Sequence, residues 1–564
     1  MIIVRALDKI RDLVLVALVP LTFAIVTPWN NLDGTNPSKF LVLVSLGTTA
    51  FALTLFRLVT KSISKELDIF NLLTLISFFL ILVSLAFNRY TIDERLFGLY
   101  GRSLGAITFL TLFLVMIASS FFDPDRWKWM NLGLLLSLLL IGTYFAIQLS
   151  GFDIASWEDA YGGIPSSTLG NPNFVSSSLA ILSSPLIAGL LYKTRLPLPF
   201  RLGLFPIIAI ICFLIWETQS LQGLLIIALI FLGFSFIRFN EMLSNRLGKL
   251  VQALMISLMV AIPVVTFLIA LGFAPQRGGA TLIARTEYWR AAWNLILENP
   301  IFGKGFDSFG DWYWAYRDQL AVDRSPGLFT DSTHNLLLEL GVFGGLPLMI
   351  AYLGLQGMAL RSALRVIVQS GNLHIKTLVL AWIGFNLQSA ISPSSLALMA
   401  LGFTLTGVVY GAGKDLALKE KGNQAREDAN TRTIRMGLGA RMVISTFALT
   451  IAGAGTYLGA TPIVKDARFR DAIEQGDGQR MIDVSRQWPF NYQLSRQTAI
   501  TLKANSYDDL AIELVRDLVE KNPYNLQGWR MLFDYSTAPT ERSMALSMMR
   551  ELDPLNPELT KLTP

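Results

Sequence analysis

Apolar residues in this chain gather into thirteen runs, separated mostly by short polar turns, near residues 13–27, 39–56, 69–87, 104–122, 130–149, 174–192, 202–217, 221–237, 250–272, 335–358, 375–392, 394–412 and 440–460. Helices of about 17 to 25 apolar residues cross a hydrocarbon core roughly 30 Å thick, so each run is expected to be a span. Hydrophobic residues make up 52% of the chain and charged residues only 16%, with a mean hydropathy of +0.49. Charged residues are about a quarter of an ordinary soluble protein, and that class is excluded. The expected fold is all-α: a polytopic membrane protein with about 13 transmembrane helices, a large outer loop, and a C-terminal helical-repeat domain.

Orientation follows from arginine and lysine. Arg5, Lys9 and Arg11 precede the first run, and no small-residue cleavage site follows it, so the first span is expected to stay as an anchor. With a cytoplasmic N-terminus the inner loops collect Arg57, Arg126, Arg201, Arg238, Arg365 and Lys376 among others, while the outer loop from Gly151 to Asn173 holds none. The positive-inside rule then puts the polar segment 273–334 outside the cytoplasmic (inner) membrane. A pI near 9.2 is explained by those loops and gives no argument for nucleic acid. Cys212, the single cysteine, lies in an apolar run, so no intrachain disulfide can form.

The segment from Arg285 to Gly345 is the longest polar interruption in the first 410 residues, and it holds His334, one of two histidines. Histidine is the commonest general base because its pKa lies nearest neutrality; at this position it could equally cap the apolar helix that follows. Residues 285–297 place Trp289, Ala292, Trp293 and Ile296 on one helical face, which suits an interfacial helix. Arg285, one turn earlier, would sit at the depth of a lipid diphosphate. Gly303-Lys304-Gly305 lets backbone approach a ligand or simply turns the chain, and it lacks the strand context of a nucleotide-binding loop. Trp312, Tyr313, Trp314 and Tyr316 offer a sugar-stacking platform or an interfacial belt. No metal site and no cofactor are expected: His334 has no histidine partner at helical spacing, and His374 falls at the cytoplasmic end of a span.

Arg285 with Trp289, Asn299-Pro300-Ile301-Phe302-Gly303-Lys304-Gly305, Ser332-Thr333-His334-Asn335, and Glu339-Leu340-Gly341 through Gly344 together resemble the signature loop of the O-antigen ligase family. Its superfamily also holds O-antigen polymerases and bacterial protein O-oligosaccharyltransferases. The resemblance extends over roughly residues 10 to 412. It implies a metal-independent glycosyltransferase that moves a glycan from an undecaprenyl diphosphate carrier to an acceptor hydroxyl outside the membrane, with inversion. Partners implied are the lipid-linked donor, a glycolipid, glycan or protein acceptor, and membrane lipids. His334 is the implied base and Arg285 the implied diphosphate ligand, with Asn335, Asp331 and Arg290 in support.

Two outer motifs refine this. Thr168 to Phe174 resembles the family's Asn-Pro-Asn turn, whose plain structural reading is a helix entry capped by asparagine. Thr218-Gln219-Ser220-Leu221-Gln222-Gly223 resembles a motif in which family ligases carry an arginine, absent here. Gln222 can donate hydrogen bonds but cannot neutralise a diphosphate, so Arg102 is the expected substitute. Lipid-linked glycan polymerisation and protein glycosylation are the neighbouring alternatives. A lipid or solute transporter is the more distant one, disfavoured by the scarcity of ionisable residues at mid-span.

The domains expected are 1–412, the ligase-like membrane unit with its active-site loop at 273–334; 413–439, a cytoplasmic linker; 440–460, an additional span; and 461–564, an outer tetratricopeptide-like helical domain. Pro489-Phe490-Asn491, Pro523-Tyr524-Asn525 and Pro554-Leu555-Asn556 recur at a spacing near that of such repeats. Residues 464–564 are therefore expected either to bind a protein partner or to form a degenerate helical cap. Set apart by a charged linker and a full span, this unit is expected to recruit rather than to complete the site.

Overall fold

The computed structural model describes residues 2–60, 68–88, 91–155, 161–192, 197–242, 280–324, 327–420 and 437–563. All its longer elements are helices. The chain opens with α1 (Ile2–Ala24), α2 (Asn36–Thr60), α3 (Ile69–Phe87), the short α4 (Ile92–Phe97) and α5 (Ala106–Ser119). It continues with α6 (Trp127–Leu149), α7 (Pro172–Leu182), α8 (Ser184–Leu191), α9 (Leu198–Leu202), α10 (Leu204–Glu217) and α11 (Leu221–Met242). The polar segment contributes α12 (Ala280–Glu298), α13 (Phe309–Tyr316) and α14 (Gln319–Arg324), and α15 (Leu336–Gln369), α16 (Leu373–Ser389) and α17 (Leu396–Glu420) return to the bundle. Last come α18 (Leu438–Glu474), α19 (Gly478–Arg486), α20 (Tyr492–Ala504), α21 (Asp508–Lys521), α22 (Leu526–Tyr535) and α23 (Pro539–Leu552).

Nine helical stretches among the described residues are long and apolar enough to cross a membrane, against the thirteen spans expected. The span at 250–272 lies outside the described residues. α1 carries Asp8, Lys9, Arg11 and Asp12 in its first half, and α16 is only 17 residues long. α5 has 14 residues, about 21 Å at 1.5 Å per residue, short of a core roughly 30 Å thick. It is buried along all but Leu110: its apolar run faces other helices, which hydropathy cannot distinguish from facing lipid.

α17 is the most enclosed of the long helices. Gly407 and Gly411 allow it to cross the C-terminal end of α5, where an added Cβ would lie 2.4 Å from the Met116 carbonyl oxygen and 2.4 Å from that of Ser120. Small residues at such crossings let backbones approach. Basic side chains expected in inner loops collect at one end of the bundle. Arg11, fully buried, pairs with Asp12 at 2.7 Å, Arg57 meets Asp8 at 2.7 Å, Arg126 meets Asp12 at 2.6 Å and Lys414 meets Asp68 at 2.7 Å. His374 lies at this end too, its carbonyl accepting from Asn131. His334 lies at the other end, where α15 begins.

The C-terminal unit stands at that same end as His334, and it is not set apart. α18 runs unbroken for 37 residues, so the expected boundary at 460 falls inside a helix. Leu32 N–H donates to Asp466, Tyr100 Oη donates to Asp466 at 2.6 Å, and Asn31 donates to the Ile463 carbonyl. The repeated Pro-x-Asn has a local explanation: Asn491 caps α20 by accepting from Leu494 N–H, and Asn525 caps α22 by accepting from Gln527 and Gly528 N–H.

Candidate functional site

The polar segment is held in place by a break in α15. Gly344 and Gly345 leave helical geometry, Gly345 at φ 75°, and the break frees carbonyls that a continuous helix would have used. Val342 and Phe343 carbonyls instead accept from Lys304 and Gly305 N–H at 2.7 and 3.2 Å, and Leu346 N–H donates to the Pro300 carbonyl at 2.7 Å. The Ser84 hydroxyl from α3 adds a bond to the Phe343 carbonyl. Gly303-Lys304-Gly305 thus docks on a helix kink. At its position 303 an added Cβ would lie 2.4 Å from the Val342 carbonyl oxygen.

α12 packs on α15 and buries Tyr288, Ala291, Ala292, Leu295 and Ile296. Of the residues expected on one face, Ala292 and Ile296 are buried against protein while Trp293 is 43% exposed at the surface. Ile296 fills the space above Gly341, and this contact with the kinked helix selects the buried stripe.

His334 sits at the mouth of α15 with φ 55°, in the left-handed region, a conformation that non-glycine residues adopt at a cost and that clusters at functional sites. Its backbone N–H donates to Ser332 Oγ at 3.1 Å, and its Nδ1 lies 3.1 Å from the Ser332 carbonyl oxygen. A carbonyl can only accept, so this bond puts the proton on Nδ1 and leaves the Nε2 lone pair open. Burial holds the imidazole pKa down to about 4; Arg285 and Arg102 push the same way, while the Ser332 bond and Asp331 oppose. The Tyr288 ring lies 5.2 Å from the imidazole, centre to centre.

Arg285 is half-buried, and no carboxylate among the described residues pairs with it; burial lowers its pKa. Arg102 is differently placed. Its guanidinium is 2.6 Å from Glu339, 3.1 Å from Asp331 and 3.2 Å from Asp307, and it also donates to the Asp331 carbonyl. Three carboxylates thus engage the one cation expected to substitute for the missing arginine, and an incoming diphosphate would meet their repulsion. Asp307, fully buried, has its pKa raised by burial to about 6 despite Arg102.

Gln222 is buried and committed: it donates to the Asn173 carbonyl at 2.7 Å and to Ser177 at 3.0 Å, and it accepts from Ser392 at 2.5 Å. It ties the Asn-Pro-Asn turn, where Asn171 caps α7, to the loop before α17. Asn335 caps α15 and donates to the Ala390 carbonyl. Arg290 pairs with Asp318 at 2.6 Å. Of the expected site residues, then, His334, Asp331, Arg285 and Arg102 come together electrostatically, while Asn335, Arg290 and Gln222 hold the surrounding backbone.

Glu339 was not among the expected site residues. It is fully buried, accepts from Arg102 and Ser394 at 2.6 Å each, and lies 3.4 Å from Ser332 Oγ. A carboxylate one turn into an apolar helix was the available signal, because such charges persist in membrane helices when they are functional or paired.

The aromatic cluster divides three ways. Tyr313 is buried against Tyr288 at 5.6 Å, Trp312 meets Tyr524 of the C-terminal unit at 4.4 Å, and Trp314 lies against Phe329 on the wall of a cavity. Around it the C-terminal unit is bolted to the loop. Arg317 and Asp553, both wholly buried, pair at 2.8 Å; Asn525 donates to Asp311, which also takes Arg95 at 2.7 Å; and Tyr492 N–H donates to Glu94. The unit expected to be set apart by a linker and a span thus packs directly on the polar segment. Linear separation by a linker and a span says nothing about where the chain returns.

Much of the candidate site lies inside a region that matches a family model. Residues 176–353 match the family model described as O-Antigen ligase. The O-antigen-ligase match runs from α7 into α15 and contains Gln222, Arg285, Asp331 and His334, but neither Arg102 nor the C-terminal unit. It supports an O-antigen-ligase-type membrane glycosyltransferase, a family that uses a lipid-linked glycan donor and a glycan acceptor in a membrane. No curated protein matches the chain.

Proposed function

We propose that the chain transfers a glycan from a polyprenyl diphosphate carrier to an acceptor hydroxyl at the outer face of the cytoplasmic membrane, with His334 as general base and Arg285 as the cationic ligand of the diphosphate. The observation that carries this reading is the arrangement at His334: Nδ1 anchored to the Ser332 carbonyl, Nε2 without a partner among the described residues, and Arg285, with which no described carboxylate pairs, close enough to act on the ring. The acceptor oxygen attacks the anomeric carbon as its proton passes to Nε2. The bond from that carbon to the diphosphate oxygen breaks on the opposite side, which inverts the anomeric centre. Charge building on the departing diphosphate is met by the Arg285 guanidinium, whose fork suits phosphate oxygens. Arg102, with Glu339, Asp307 and Asp331, holds the 331–335 turn in the shape that aims the imidazole. The C-terminal helices, tetratricopeptide-like in their repeat, lie against the polar segment through Arg317–Asp553 and Trp312–Tyr524.

Proteoliposomes holding the full chain, a polyprenyl-diphosphate glycan and candidate acceptors test this directly. His334→Ala should slow transfer by about 10²–10⁴-fold with donor binding little changed. Arg285→Ala should weaken donor engagement as well, and Arg285→Lys should restore only part, since lysine keeps the charge without the fork. Wild-type transfer by His334→Ala would end the proposal.

A further inference from the structure

Between the loop that follows α4, residues Gly310, Trp314, Phe329 and Asp331, and the first turns of α20 and α22 lies a half-open cavity of about 330 Å³, within the range of roughly 300–1,000 Å³ usual for small-ligand sites. Two sources of chemistry face each other across it. The membrane unit supplies the aromatic rings of Trp314 and Phe329; the C-terminal unit supplies the amides of Gln493 and Gln527. Aromatic faces take the C–H face of a pyranose, and amides give its hydroxyls both donors and acceptors.

The same wall carries charged and hydroxyl-bearing residues beside the amides: Glu94, Asp331, Tyr492 and Arg496 all line the cavity. Asp331, on the same wall, also holds Arg102 and acts on His334, so the cavity adjoins the turn that carries the base.

We infer that this cavity binds the saccharide of one of the two substrates, and that the C-terminal unit thereby selects which glycan is used. The inference rests on the glycan-transfer reading and assigns the second half of its substrate site. Donor and acceptor glycans share the chemistry; kinetics separate them.

The test uses the full-length chain, with oligosaccharide released by mild acid from the host's surface polysaccharide as the carrier-free probe. In detergent micelles the oligosaccharide should bind saturably, followed by tryptophan fluorescence. Binding should weaken about tenfold or more in Arg496→Ala and severalfold in Gln527→Ala, as expected for lost hydrogen bonds to a ligand, and should be unchanged in His334→Ala. In proteoliposomes Arg496→Ala should raise the KM of one substrate by about the same factor with kcat nearly constant; the substrate that responds is the one whose glycan occupies the cavity. Gln527 is exposed, so Gln527→Ala carries the test alone if Arg496→Ala fails to fold. No binding by the wild-type chain, or equal binding and unchanged KM values in both variants, overturns the inference. His334-dependent transfer with unaffected Arg496→Ala and Gln527→Ala kinetics would sink the cavity and leave the transfer reading standing. Arg496-dependent binding without any transfer would do the reverse.

Discussion

At His334 the backbone, the tautomer and the field all act on one ring. As the proposed base, an imidazole with a pKa near 4 is neutral at physiological pH but weak, and its weakness comes from burial with two arginines nearby. An anionic diphosphate on Arg285 would cancel one of those positive charges and strengthen the base. The pH profile of kcat/KM, which reports the free enzyme, should therefore fall on the acid side near pH 4, and that of kcat, which reports the complex, at higher pH. Arg285→Gln should move the kcat/KM limb upward; identical limbs in all three measurements would show that the field does not reach the ring. Stability has its own sign. The unfolded imidazole, near 6.5, binds protons that the folded one refuses, so this group's contribution is present above pH 6.5 and is lost as pH falls toward 4. His334→Ala lacks that loss, and its melting temperature relative to wild type should be more favourable at pH 5 than at pH 7.5. Asp307, with a raised pKa, acts in the opposite direction between its ordinary range and about 6.

At the scale of elements, the broken α15 and the docked C-terminal helices shape the site. Gly345 combines φ 75° with backbone contact, since an added Cβ would lie 2.6 Å from the Pro300 carbonyl oxygen. Gly345→Ala should cost about 1–3 kcal/mol from strained backbone alone, with lower thermal stability and reduced transfer, because the 299–305 turn loses its seat. Arg317 and Asp553 form an enclosed pair. Removing one partner should destabilise by about 3–5 kcal/mol, whereas replacing both with apolar residues of similar volume should be far milder; thermal unfolding of Asp553→Ala beside Arg317→Met/Asp553→Leu distinguishes these. Truncation after Gly413 would uncover Trp312 and leave Arg317 without Asp553 and Asp311 without its asparagines. A stably inserted truncation should therefore lose transfer even to a small acceptor; retained activity would return the unit to a recruiting role.

For the whole molecule, two ends of one helical bundle carry different chemistry. The ion pairs of Asp8 and Asp12 with arginines and of Asp68 with Lys414 gather at one end, while His334 and the C-terminal helices share the other. Single cysteines in a Cys212→Ser background should show this in intact cells. Positions 327 and 479, both exposed, should react with an impermeant thiol reagent from outside, and position 420 should not. Labelling at 420 with protection at 327 would invert the orientation.

Hydropathy alone determined that the chain is a helical membrane protein, because a span needs only length and apolar content, and both are local. The loop containing Arg285 and His334 was legible for a similar reason: its residue types and spacing lie within one continuous segment, which the family match also covers. Pro-x-Asn was legible as a helix start, since capping is settled within three residues. What the sequence could not decide is everything that depends on a partner from far along the chain. Whether Arg102 is an open cation or one ringed by Asp307, Asp331 and Glu339, and whether an apolar run such as α5 faces lipid or protein, are set by packing. The same holds for residues 464–563. Their place over the polar loop comes from buried pairs between residues more than two hundred positions apart, such as Arg317 with Asp553, and no local pattern encodes such a meeting.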